Sequence, residues 1–273
     1  MALVPNALAK RPYPAEHDLA GVIVDANGTS FSNGDEVIGF IPFRKFYPHS
    51  FHQESDVVSV LQFNTRQGAL AQYTTIPKDH VTLKPKKLTW EESAALPLAG
   101  MTAVQSLRAG GYDPMCVLDT PASTPVNQES IFINGGSTSV GIYAIQLAKA
   151  LSLHVTASAS ARNESFVRDV GTDVFLDYTA QPIAEQLSSH PAEPRFGMIL
   201  DAAGLLDTDL YDKSGAFVKK GGAYVTTGPF PGQLGWLRMI GRWACTILRP
   251  RFLGGTPTTW KCVACVFGSC NEC

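Results

Sequence analysis

Residues Ile133-Asn134-Gly135-Gly136-Ser137-Thr138-Ser139-Val140-Gly141 read as a short apolar strand that turns through two glycines directly into a helix. Such a turn presents backbone N–H groups and the positive end of a helix dipole, the donors that a dinucleotide pyrophosphate needs. Ser137 and Thr138 add hydroxyls. The stretch is not a clean G-x-G-x-x-G, and by itself it fits a tight strand–helix junction as well as a binding turn. The chain beyond it favours the second reading. Val140, Ala144, Leu147, Ala148 and Leu151 recur at helical spacing, and strands expected at 154–157, 174–177, 198–201 and 223–227 alternate with helices near 163–170 and 183–188. This alternation predicts an α/β fold, a doubly wound parallel sheet covered on both faces, with ligands at the carboxyl ends of the strands.

The end of the second strand is where nicotinamide cofactors are told apart, because an acid there binds the ribose 2′-hydroxyl and a base accommodates a 2′-phosphate. Here the chain reads Ser158-Ala159-Ser160-Ala161-Arg162-Asn163, with no carboxylate before Glu164. A hydroxyl and a guanidinium at this point favour NADPH. The competing reading, in which Ser160 and Arg162 only cap and begin the next helix, stays open at this stage.

Upstream the signals change. Residues 19–25 and 36–41 are strand-like, with turns at Asn27-Gly28 and Asn33-Gly34, so the first third is expected to be β-rich. Residues 43–66 carry scattered aromatics, His49 and His52 without a period and are given no chemistry. Thr89-Trp90-Glu91-Glu92 matches a capping box ahead of an Ala-rich helix running toward Leu107, and this marks a domain junction. Residues 110–129 hold two Gly and three Pro and read as a long loop.

Composition bounds the function classes. Among 273 residues, 22 Lys and Arg against 24 Asp and Glu leave no basic excess to neutralise phosphates, so nucleic acid is not an expected partner. Apolar stretches such as 96–104 are broken by Pro or Gly short of the ~18 residues of a membrane span, and no membrane role is expected. The N-terminus has neither a secretory nor a transit pattern, so the default placement is cytoplasmic. Four of the six cysteines, Cys262, Cys265, Cys270 and Cys273, crowd the last twelve residues, which is not a secreted disulfide framework. Their paired spacing is zinc-like, but four residues between the pairs leave little room for the usual knuckles.

In this order the segments 14–21 (PAEHDLAG), 33–40 (NGDEVIGF), 68–77 (GALAQYTTIP), 94–103 (AALPLAGMTA), the glycine turn and 219–228 (KKGGAYVTTG) resemble the medium-chain dehydrogenases/reductases, in their zinc-free quinone oxidoreductase and enoyl reductase branches. The resemblance covers about residues 12–255. It implies a partial GroES-like substrate domain (1–97), a Rossmann NADPH-binding domain (98–255) and an atypical Cys-rich tail (256–273), with nicotinamide and substrate in the cleft between the domains. It further implies that Gly136, Ser137, Thr138, Ser139 and Val140 contact the pyrophosphate. Ser160, Ala161, Arg162, Asn163 and Tyr178 would surround the adenosine 2′-phosphate, and Thr102 would lie near the nicotinamide. Tyr178, just after the third strand, also fits a partly buried sheet-end aromatic.

Zinc-dependent relatives carry a Cys before, a His within and a Cys after these segments. His17 takes the His place, but no Cys precedes it and residues 94–103 contain none, so no catalytic metal is expected. The family pattern would also begin some forty residues before Met1 and continue past Gly255, so both ends read as truncated. The expected activity is hydride transfer from NADPH to a quinone or an α,β-unsaturated carbonyl. The proton is left to solvent and no catalytic acid is named. The alternatives are a non-catalytic NADPH-binding chain and a trans-acting enoyl reductase of a biosynthetic pathway. A small molecule is the expected partner, with a homodimer left open.

Overall fold

A computed structural model describes residues 16–41, 68–116, 129–189, 193–204, 208–228 and 259–263. The chain divides into two units, residues 1–98 with 265–273 and residues 99–264.

In the first unit β1 (Asp18–Val22), β2 (Glu36–Phe40) and β3 (Val81–Leu83) form an antiparallel sheet in the order β1-β2-β3. The connection from β1 to β2 turns at Asn27 and Gly28, whose φ values of 46° and 70° lie in the left-handed region that Asn and Gly tolerate best. Val37, Ile38, Phe40 and Ile41 are buried. The expected Ala-rich helix is two helices. Thr89 caps α1 (Trp90–Ala94) through a capping box with Glu92, and α2 (Pro97–Ala109) begins afresh at Pro97. Proline has no N–H to continue α1, yet its fixed φ suits the first position of a new helix. The Leu98 N–H, orphaned by that restart, donates to the Asp18 carboxylate at 2.9 Å.

The second unit is built on a wholly parallel sheet. Its strands are β4 (Ser130–Asn134), β5 (His154–Ala159), β6 (Val174–Asp177), β7 (Phe196–Asp201), β8 (Val218–Thr226) and β9 (Thr259–Cys262). The spatial order is β6-β5-β4-β7-β8-β9. Numbered from β4, this is the 3-2-1-4-5-6 order of dinucleotide-binding sheets, and the order reverses between β4 and β7. Helices α3 (Ser139–Ala150), α4 (Glu164–Val170), α5 (Ile183–Ser189) and α6 (Thr208–Asp212) occupy the connections.

Both faces of this sheet are buried, and the period-two alternation of strands shows how. Ile131 and Ile133 of β4 join one core with Ala103 and Leu107 of α2 and Ala144 and Ile145 of α3, whereas Phe132 joins a second core with Leu187 and Phe217. Phe196 and Met198 fall in different cores although two residues apart, because the β7–β8 register shifts between them.

Residues 259–262, expected in a Cys-rich tail, supply the sixth strand, in register with residues 223–226 of β8. Lys261 Nζ then donates to the Ala109 carbonyl at the end of α2, at 2.8 Å. A four-residue strand reading Thr-Trp-Lys-Cys carries too little pattern to be seen without the sheet it completes. The tail cysteines Cys265, Cys270 and Cys273, and most of the expected 110–129 loop, lie outside the described residues.

Candidate nucleotide site

The turn from β4 into α3 is built from its own hydrogen bonds. Gly135 has φ +85°, which favours glycine, and its N–H donates to Ser158 Oγ at 3.1 Å. The Gly136 N–H donates to the Ser158 carbonyl at 2.7 Å, so one residue of β5 holds both glycines. Thr138 closes the turn. Its N–H and its Oγ1–H both donate to the Gly135 carbonyl, at 3.0 and 2.8 Å, and its Oγ1 accepts the Gly141 N–H at 3.0 Å as the cap of α3. A Cβ at Gly141 would run into the Gly135 carbonyl oxygen, so the helix can approach the turn this closely only with glycine there.

Counting donors shows what is left for a ligand. The N–H groups of Gly136, Thr138 and Gly141 are engaged within the turn, whereas those of Ser137, Ser139 and Val140 have no acceptor among the described residues. The Ser139 and Val140 amides lie in the first turn of a 12-residue helix, where the dipole favours an anion. The Thr138 hydroxyl, read from sequence as a ligand donor, has its proton on Gly135, so it shapes the turn instead. The Ser137 hydroxyl accepts from Asn163 Nδ2 at 3.2 Å and keeps its own proton to donate.

That last bond ties the glycine turn to the end of β5. Ser160, just after β5, has a hydroxyl that is buried and has no partner among the described residues. Buried hydroxyls without a partner are uncommon, and this one suits a ligand oxygen. Arg162 is exposed in a short helical turn over 161–163, and Tyr178 is 54% exposed just beyond β6. Tyr178 is thus accessible, not a packed sheet-end aromatic. Thr102 is buried on α2 beside Ala103, which belongs to the core.

The sheet also brings a carboxylate to this corner. β5 and β6 pair Ala159 with Asp177, and the Asp177 carboxylate accepts from the Thr179 hydroxyl (2.7 Å), the Thr179 N–H (2.9 Å) and the Ala161 N–H. These bonds, the Thr179 hydroxyl foremost, hold its carboxyl below the usual range. The Ala161 amide is therefore turned toward an acid rather than outward. Reading along β5 alone finds no acid before Glu164, and parallel register is the signal that would have placed Asp177 there.

A second acid closes the switch point. Asp201, at the end of β7, is 3% exposed and is pushed up to about 6 by burial, against hydrogen bonds from Asn134, Tyr224, Gly204 and Ala203. Nothing in its sequence neighbourhood distinguishes it from an ordinary strand-end residue.

In the first unit, His17 Nδ1 bonds the Ile41 carbonyl at 2.7 Å and its ring packs on Phe40. Among the described residues no group of three or more His, Cys, Asp or Glu side chains is placed to hold a metal ion. No helix of the described residues is long and apolar enough to cross a membrane.

No protein-family profile matches the chain. It is 36% identical over 140 residues to a mitochondrial NAD(P)H oxidoreductase of Danio rerio, covering 51% of this chain and 33% of that protein. It is 30% identical over 197 residues to a trans-enoyl reductase of Aspergillus terreus, covering 71% and 49%. The chain thus spans about half, or less, of the length of these curated relatives. Among solved structures, the quinone oxidoreductase of Coxiella burnetii superposes with a TM-score of 0.64 at 20% identity, over 96% of this chain and 67% of that one.

Proposed function

We propose that the chain is a member of the medium-chain dehydrogenase/reductase superfamily, that it binds NADPH at the β4–α3 turn and that it serves a zinc-independent reduction of a quinone or an α,β-unsaturated carbonyl, a reading supported by its similarity to the Aspergillus reductase and by the shared fold. The observation that carries this reading is the turn at the switch point of the sheet, with the Ser139 and Val140 amides and the Ser160 hydroxyl all lacking partners among the described residues. Two amides at a helix N-terminus fit a pyrophosphate, and a buried, unpartnered hydroxyl beside an exposed guanidinium fits a ribose phosphate. The nicotinamide supplies the hydride when bound.

What the chain's own residues do is bind and orient. Thr138 and Ser158 fix the turn, Ser137 and Asn163 couple it to the end of β5, and Arg162 and Tyr178 are accessible to the 2′-phosphate. Asp177 opposes a second phosphate charge, so the preference for NADPH over NADH is moderate rather than absolute. The donor set argues for metal independence, since the Nδ1 of His17 is engaged by backbone and residues 94–103 contain no thiol. Reduction of an enoyl group, as the name of the Aspergillus relative indicates for that protein, and reduction of a quinone can both proceed by hydride delivery with no Lewis acid.

The test is calorimetric titration of the purified chain with NADPH and NADH, followed by NADPH oxidation over a panel of quinones and enones before and after chelator treatment. We expect tighter NADPH binding, unaffected by chelation. Failure to bind either nucleotide overturns the site. Binding without oxidation of any acceptor overturns the reductase reading and leaves a nucleotide-binding protein.

A further inference from the structure

A chain of side-chain hydrogen bonds crosses the carboxyl ends of four neighbouring strands, and the function proposed above uses only its last link. At its far end Asp201 accepts the Tyr224 hydroxyl on Oδ2 at 3.3 Å and Asn134 Nδ2 on Oδ1 at 2.9 Å. The Ala203 and Gly204 amides also donate to it. Asn134 then turns its Oδ1 toward β5, where the Ser158 hydroxyl donates to it at 2.7 Å. Having given its one proton, the Ser158 oxygen is an acceptor, and it takes the Gly135 N–H at 3.1 Å.

Each link has a single polarity, set from one end. An ionised carboxylate has no proton to give, so it decides which end of the Asn134 amide faces it. That choice directs the Ser158 proton, and the Ser158 proton decides whether an acceptor waits beneath Gly135. Resting on the nucleotide reading of the turn, we propose that Asp201 is a positioning residue: through Asn134 and Ser158 it holds Gly135 in place and thereby sets the direction of the Ser139 and Val140 amides.

An acid is a costly way to fill a buried strand end, because a carboxylate removed from water loses far more than an amide does. Its four donors explain its use. The Asn134 amide, the Tyr224 hydroxyl and two backbone N–H groups all require acceptors, and no neutral side chain of this size offers acceptors alone. An asparagine at 201 would set an NH2 group against at least one of these donors and release the polarity of the relay.

The experiment uses the full chain and three variants: Asp201→Asn, Ser158→Ala and Tyr224→Phe. Each is read by NADPH titration and by the amide resonance and hydrogen exchange of Gly135. The first two should weaken NADPH by about 3–30-fold, shift the Gly135 resonance and speed its exchange. Combining them should cost no more than the worse one alone, because both cut the same chain. Tyr224→Phe removes a donor from the other side of Asp201 and leaves the Asn134 limb intact, so Gly135 and NADPH affinity should hardly change even where stability drops. A Gly135 resonance unmoved in Asp201→Asn, or an equal loss of affinity in Tyr224→Phe, overturns the proposal. Should Asp201→Asn fail to fold, Ser158→Ala against Tyr224→Phe makes the same comparison. Should the parent chain bind no nucleotide, the Proposed function fails, while the Gly135 readout still decides whether the relay exists.

Discussion

Arg162 and Asp177 face the same corner of the sheet with opposite charge, and single substitutions should pull cofactor choice in opposite directions. Arg162→Ala is expected to weaken NADPH by roughly tenfold while leaving NADH nearly unchanged, since only NADPH carries the 2′-phosphate. Asp177→Asn should instead tighten NADPH by about 2–5-fold. Parallel titrations with both nucleotides check the pair, and equal losses for the two nucleotides in Arg162→Ala would remove Arg162 from the phosphate site. Half of this corner was legible in the sequence. Ser160, Arg162 and Asn163 follow one another along β5 and its exit, whereas Asp177 arrives from the next strand by register, which spacing along one segment does not reveal.

The β4–turn–α3 element was readable because two glycines, a capping threonine and a helical apolar period agree over a dozen residues. The internal use of its donors was not readable, since Thr138 and Ser158 need the folded turn to show which protons are engaged. Thr138→Val removes the cap of α3 and should cost about 1 kcal/mol, lowering the thermal midpoint by roughly 2–4 °C in a circular-dichroism melt. Gly141→Ala acts differently. Its Cβ meets the Gly135 carbonyl and must push the helix off the turn, so NADPH and NADH should weaken together. A Gly141→Ala protein that binds both nucleotides like the parent would contradict the close approach of helix and turn.

For the second unit as a whole, a parallel sheet covered on both faces followed from the β-α-β alternation, but its strand order and its sixth strand did not, because residues 259–262 are recognisable only by their pairing with β8. Buried acid at its centre gives this unit a pH signature. The carboxyl of Asp201 lies at about 6, above its ordinary value, so the folded state binds a proton more readily than the unfolded state does. Its contribution is therefore most favourable below pH 4 and is lost as pH rises through about 6, a change on the order of 3 kcal/mol. Asp173 and Glu129, held below their usual range, act in the opposite sense and lose stability as pH falls through their folded values. Asp201→Asn should flatten the slope of stability between pH 4 and 6 in urea melts, and a slope identical to the parent's would show that Asp201 does not titrate there.

Completing the sheet with residues 259–262 also ties folding to protein synthesis. During translation the edge of β8 is made before its partner, and at 5–20 residues per second the roughly 30 residues between them take about 2–6 s. Throughout that interval the backbone of residues 223–226 offers an unpaired parallel ladder to any neighbouring chain. Polysomes crowded with copies of this protein would be where mispairing starts, and slower decoding across that stretch would lengthen the exposure.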